Sequence, residues 1–153
     1  MVSFRFTLTG RGWADASLVI DDQSANLTSF SYLTDALGDF LRSALRLVQG
    51  SEQAEVWWER EPGGFAWKFT RDGVLVRVVI TEYDTDTEED PDEATRIVLS
   101  AACPLRDLAA AIAEGARNVL NEHGQEGYAA MWARYPFPMD ELTALEDHLA
   151  AGA

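Results

Sequence analysis

Hydrophobic and polar residues alternate from the start of the chain. Val2, Phe4, Phe6 and Leu8 are interleaved with Ser3, Arg5, Thr7 and Thr9, a period of two that predicts a half-buried strand. Gly10-Arg11-Gly12 makes a short turn, and Trp13 to Ile20 reads as the returning strand of a hairpin. Asp21 to Ser24 breaks the run, and Leu27 to Phe30 is a candidate third strand.

The period then changes. Leu33, Leu37, Phe40, Leu41, Ala44, Leu45 and Val48 fall at helical spacing, with Asp35, Asp39, Arg42 and Arg46 elsewhere on the cylinder. Ser31 or Thr34 is the expected N-cap, and Gly50 the stop. A meander follows. Gln53 to Arg60 leads through Glu61-Pro62-Gly63-Gly64 into a run where Phe65, Trp67 and Phe69 alternate with Ala66, Lys68 and Thr70. Asp72-Gly73 signals a hairpin into Val74 to Glu82, and Thr95 to Cys103 is the last strand.

Pro104 opens a second helix, carried by Leu105, Leu108, Ala109, Ile112, Ala116, Val119 and Leu120 and stopped at Gly124. An aromatic tail over 127–138 folds back to seal the core, and a terminal helix spans Asp140 to Leu149. Short turns imply antiparallel pairing, and amphipathic helices need a sheet face to cover. The expected fold is one α+β domain over 1–153. It is a two-layer sandwich in which helices pack on one face of an antiparallel sheet of five to seven strands.

Charge narrows the partners. Against 26 Asp+Glu stand 12 Lys+Arg, a net charge of −14, which opposes phosphate backbones and anionic membranes and complements a basic protein. Nucleic acid and membrane are therefore not the expected partners. With a single cysteine, Cys103, no intrachain disulfide can form. Met1 to Phe6 lacks the charged start and long apolar stretch of a signal peptide, and the expected location is cytoplasmic.

Catalytic and metal-binding motifs find little support. The run from Asp84 to Glu93 mimics a calcium loop, but Glu89 stands where that loop needs glycine, and Thr95 where it needs a bidentate glutamate. Asp84, Asp86, Glu88, Glu89 and Asp90 read instead as a solvated acidic finger that a basic partner could grip. Cys103, His123 and His148 lack zinc spacing, and both histidines suit helix ends. No metal, cofactor or catalytic residue is therefore expected.

The adjacent Trp57 and Trp58 raise a different question. If Val56 and Trp58 point to the core, Trp57 stands on the open face between Glu55 and Glu59, with Lys68, Arg77 and Arg96 on the same side. Such a face is either a charge ladder covering Trp57 or a docking surface, tryptophan and arginine being common binding hot spots.

In layout, a short acidic α+β chain with an open sheet face and no catalytic set resembles the immunity proteins that neutralise bacterial toxins. With Lys68 its only lysine and alanine abundant, it is similar also to small proteins of high-GC actinobacteria. The resemblance implies a non-catalytic protein-binding module that neutralises or regulates a basic partner. Two alternatives stand beside it: a small enzyme or ligand-binding domain with a cleft near Cys103, His123 and Trp132, and a self-associating subunit, such as a homodimer.

Overall fold

The computed structural model describes residues 1–84 and 95–152. Among them, in chain order, are β1 (Val2–Gly10), β2 (Trp13–Ile20), β3 (Gln23–Ser31), α1 (Ala36–Val48), β4 (Gln53–Glu59), β5 (Gly64–Asp72), β6 (Leu75–Tyr83), β7 (Thr95–Pro104), α2 (Leu105–Trp132) and α3 (Met139–Ala150). The fold is α+β and its strand pairing antiparallel, as the alternation and short turns require.

The strands do not form the single sheet expected. β1-β2-β3 make one sheet and β4-β5-β6-β7 another. Each tight turn pairs its own two strands, but α1 separates β3 from β4, and nothing in a hairpin signal decides whether pairing continues across a helix. The two-layer description with helices on one face fails for the same reason: α1 meets residues of both sheets.

Rings carry that meeting. Phe40 of α1 lies 4.8 Å from Phe4 of β1, 5.2 Å from Trp58 of β4 and 4.5 Å from Trp67 of β5. Phe30 of β3 stacks on Trp58 at 4.5 Å. The buried Trp58 indole donates its N–H to the Ala36 carbonyl at 3.0 Å, so its polar group is satisfied inside the core. Trp67 Nε1, by contrast, is buried with no hydrogen-bond partner. One apolar cluster joins the inner faces of both sheets to all three helices.

Local details depart from the sequence pattern where the backbone is irregular. β3 is longer than Leu27 to Phe30 because the register slips opposite Ala14 and Ala16. Ser29 there adopts φ 56° and donates its N–H to the Asp15 carboxylate at 2.8 Å. This bulge turns both Leu27 and Phe30 inward although they are three apart, hiding the period of two. Neither Ser31 nor Thr34 caps α1. Ser31 ends β3, Asp35 holds the N-cap position without a side-chain cap bond, and its carboxylate reaches Arg42 at 2.6 Å.

α2 bends at Gly124 (φ 69°, ψ 171°), the predicted stop, and then resumes to Trp132. The bend folds Tyr128 and Trp132 into the core, where Trp132 Nε1 donates to the Thr34 carbonyl at 3.3 Å. Earlier in α2, the helix packs against the edge strand β1. A Cβ on Gly115 would lie 2.6 Å from Phe4 Cδ2 and 2.8 Å from the Phe4 carbonyl oxygen, so only glycine permits this approach. A helix seated there also shields a strand edge from stray pairing.

Two substitutions test this packing by urea denaturation. Phe40→Ala should lower stability by about 3–5 kcal/mol through lost contacts and a cavity. Gly115→Ala should cost about 1–3 kcal/mol through overpacking against β1. Near-wild-type stability in both would contradict the placement of α1 and α2.

Candidate functional site

Strand alternation decides which side chains leave the core of the four-stranded sheet. In β4, Val56 and Trp58 are buried, so Glu55, Trp57 and Glu59 face outward. Register then sets their neighbours: Glu55 pairs with Lys68, and Trp57 with Ala66. Lys68 pairs with Val79, Ala66 with Thr81, and Thr70 with Arg77. Glu55, Trp57, Glu59, Lys68 and Arg77 thus share one face.

The expected ladder of charges on that face is not made. Among the described residues, no ion pair links Glu55, Glu59, Lys68 or Arg77 to one another. Arg77 only approaches the Ser100 hydroxyl, at 3.4 Å. Trp57 is instead fixed by its own strand. Its indole N–H donates to Glu59 Oε2 at 2.6 Å, and its ring lies 5.7 Å from Tyr83, tilted at 59°. Gly64 makes the pose possible, since any Cβ there would collide with the Trp57 ring and the Trp58 carbonyl. Beside it lies an open depression of about 480 Å³ over Lys68, Val79, Thr81 and Tyr83.

Arg96 does not belong to this face. The register slips between Ile80 and Thr81: Ile80 pairs with Leu99 but Thr81 with Ile97. The extra residue inverts the strand beyond it. Ile97 emerges on the outer face, 63% exposed. Arg96 moves to the other side, where Glu82 takes Arg96 at 2.6 Å and Arg60 at 2.7 Å. Straight alternation had no means of finding Ile97. Tyr83 was within reach, because Val79, Thr81 and Tyr83 are the simple complement of Val76, Val78 and Ile80.

The acidic finger is only partly placed. Asp84 is exposed at the end of β6. Asp86, Glu88, Glu89 and Asp90 lie outside the described residues.

Cys103, His123 and Trp132 are not gathered into a cleft. Cys103 is buried at the end of β7, and burial pushes its thiol up to about 11, with Asp107 adding to the rise. The nucleophilic thiolate is therefore scarce near neutral pH. His123 lies 18 residues beyond Leu105 on α2, some ~27 Å along the axis. Trp132 is fully buried.

Other depressions exist. One, about 530 Å³, runs between α2 and β1 past Arg5, Glu114, Asn118 and Glu122. Another, about 350 Å³, lies where Asp35 and Glu141 converge on Arg42. Near it the Tyr128 hydroxyl is buried without a partner, and burial, then the Asp35 charge, raises its pKa. Among the described residues, no group of three His, Cys, Asp or Glu side chains is placed to hold a metal ion, and no helix is long and apolar enough to cross a membrane.

Comparison with known proteins adds no relative: no family model, curated protein or solved structure matches the chain.

The state of Cys103 is directly testable. Iodoacetamide at pH 8 should modify it slowly in the folded protein and rapidly in denaturant, followed by intact mass. Rapid modification of the folded protein would mean an accessible thiolate and would reopen a nucleophilic role.

Proposed function

We propose that this chain is a non-catalytic protein-binding module that docks its partner on the outer face of the four-stranded sheet. The pose of Trp57 carries the reading. An indole on an open face normally keeps its N–H on water, and a partner must strip that water away. Here the N–H is already spent on Glu59, and the ring is held by Gly64 and Tyr83. The exposed part of the ring is thus apolar and ordered before any encounter, so binding costs little desolvation or side-chain entropy there.

The neighbouring cations have little structural use. Exposed ion pairs contribute about 0–1 kcal/mol, and Lys68 and Arg77 form none on this face. Without a carboxylate partner among the described residues, and with Arg77 held only by a long hydrogen bond to Ser100, they can answer groups on a partner. At longer range the −14 net charge steers a basic protein toward the chain, in keeping with an immunity-like role of neutralising or regulating such a partner.

The test combines folding and binding. Trp57→Ala with Arg77→Ala should leave the thermal midpoint within a few degrees of wild type. The same protein should lose about 2 kcal/mol or more of affinity, roughly thirtyfold or beyond, for the partner isolated with the wild-type chain from its native cells. A collapsed midpoint with unchanged affinity per folded molecule would assign Trp57 to stability and end the docking reading.

A further inference from the structure

We infer that, in the absence of another partner, the docking face is covered by a second copy of this chain; the inference rests on the reading of that face as a contact surface. Charge gives the first reason. Each copy carries −14 overall, so two copies repel through most orientations. On this face, however, the three carboxylates Glu55, Glu59 and Asp72 are offset, all but one, by the two cations Lys68 and Arg77. Together with the exposed Ile97, the half-buried Val79 and Tyr83, and Trp57, it is a nearly neutral, partly apolar patch on an acidic molecule. Beyond about 8–10 Å the remaining charges are screened at physiological salt.

The strand register supplies the second reason. A two-fold axis along the strands, between β5 and β6, lays β4 of one copy over β7 of the other. Each row of the sheet then meets itself in reverse order. The row Trp57–Ala66–Thr81–Ile97 sets Trp57 against Ile97 of the partner subunit, twice by symmetry. The next row sets Tyr83 toward Gly64 of the partner subunit, whose outer side is already covered by the partner subunit's Trp57 ring. The other rows place Glu55 opposite Ser100 of the partner subunit and Lys68 opposite Val79 of the partner subunit. Among the described residues of these rows, no carboxylate faces a carboxylate and no cation a cation. Face-to-face packing of this kind is how sheets ordinarily stack.

The size of the face sets the strength. Four strands, the shortest of seven residues, give a footprint of roughly 20 by 25 Å, on the order of 500 Å² per copy. That falls in the range of weak, reversible interfaces. A weak dimer keeps the apolar face covered yet yields to a partner that binds more tightly.

Ile97 tests the geometry, because a charge placed there is read with opposite sign by the two candidate occupants. In a dimer, position 97 sits between Glu55 and Glu59 of the partner subunit. Sedimentation velocity over a wide concentration range should show the wild type passing reversibly from monomer to dimer. Ile97→Glu should weaken the dimer at least tenfold relative to Ile97→Lys, with both thermal midpoints unchanged because the site is exposed. A basic partner predicts the reverse order of affinities on the same two variants. A wild type that stays monomeric to millimolar concentration overturns the inference. So does a dimer that treats the two variants alike or favours Ile97→Glu. Loss of native-partner binding in the Trp57→Ala, Arg77→Ala protein would still uphold the docking face in either case.

Discussion

Trp58 is the side chain on which the architecture turns. Its ring stacks beneath Phe30 of the three-stranded sheet, meets Phe40 of α1 edge-on, and lies 4.9 Å from Trp67 of its own sheet. The hydrogen bond from its indole to the Ala36 carbonyl ties that cluster to the first turn of α1. Two sheets that share no backbone hydrogen bond among the described residues are joined here by rings and one polar contact, within the apolar cluster that spans them both. Strand geometry transmits the constraint outward: with Trp58 inside, Trp57 has only the open face to occupy. A second tryptophan is thus placed at the surface by the packing of the first.

What the surface does with Trp57 separates this face from an ordinary solvated sheet. An exposed aromatic is commonly covered by long charged side chains from neighbouring strands. Here neither Lys68 nor Arg77 stacks on it among the described residues, its ring lies over Gly64, and Ala66 on β5 leaves a low shelf beside it. Glu59 fixes the ring without hiding it. The same residues make this patch nearly neutral on a molecule whose net charge is −14, so the contact proposed there would depend on shape and apolar area, while the wider field would govern approach. On the proposed reading, short-range fit and long-range steering fall to different parts of the surface.

Much of this was legible in the chain. The alternations of β1, β2 and β5 and the helical stripe of α1 located the core, and the split of Val56 and Trp58 from Glu55, Trp57 and Glu59 identified the face. The failures have a common cause, the local irregularity of a backbone that periodicity treats as uniform. A bulge at Thr28–Ser29 hid the length of β3. Another at Val98 exchanged Ile97 and Arg96 between faces. Long-range pairing was equally invisible: no residue near α1 announces that β3 and β4 belong to different sheets. Cys103, His123 and Trp132 are not gathered into the expected cleft: Cys103 is buried at the end of β7, His123 lies several turns along α2 from it, and Trp132 is buried.

The claim that contact occurs on the outer face of the four-stranded sheet can be read from the tryptophans themselves. The chain has five, and two retain surface: Trp57 on that face, and Trp13, 36% exposed, on the other sheet. Fluorine NMR of protein labelled with fluorotryptophan resolves them in one spectrum, with single Trp→Phe variants assigning the lines. On titration with any bound protein, a second copy included, the Trp57 line should shift or broaden while Trp13 stays fixed. A response at Trp13 with Trp57 unmoved would place the contact on the three-stranded sheet and contradict the account.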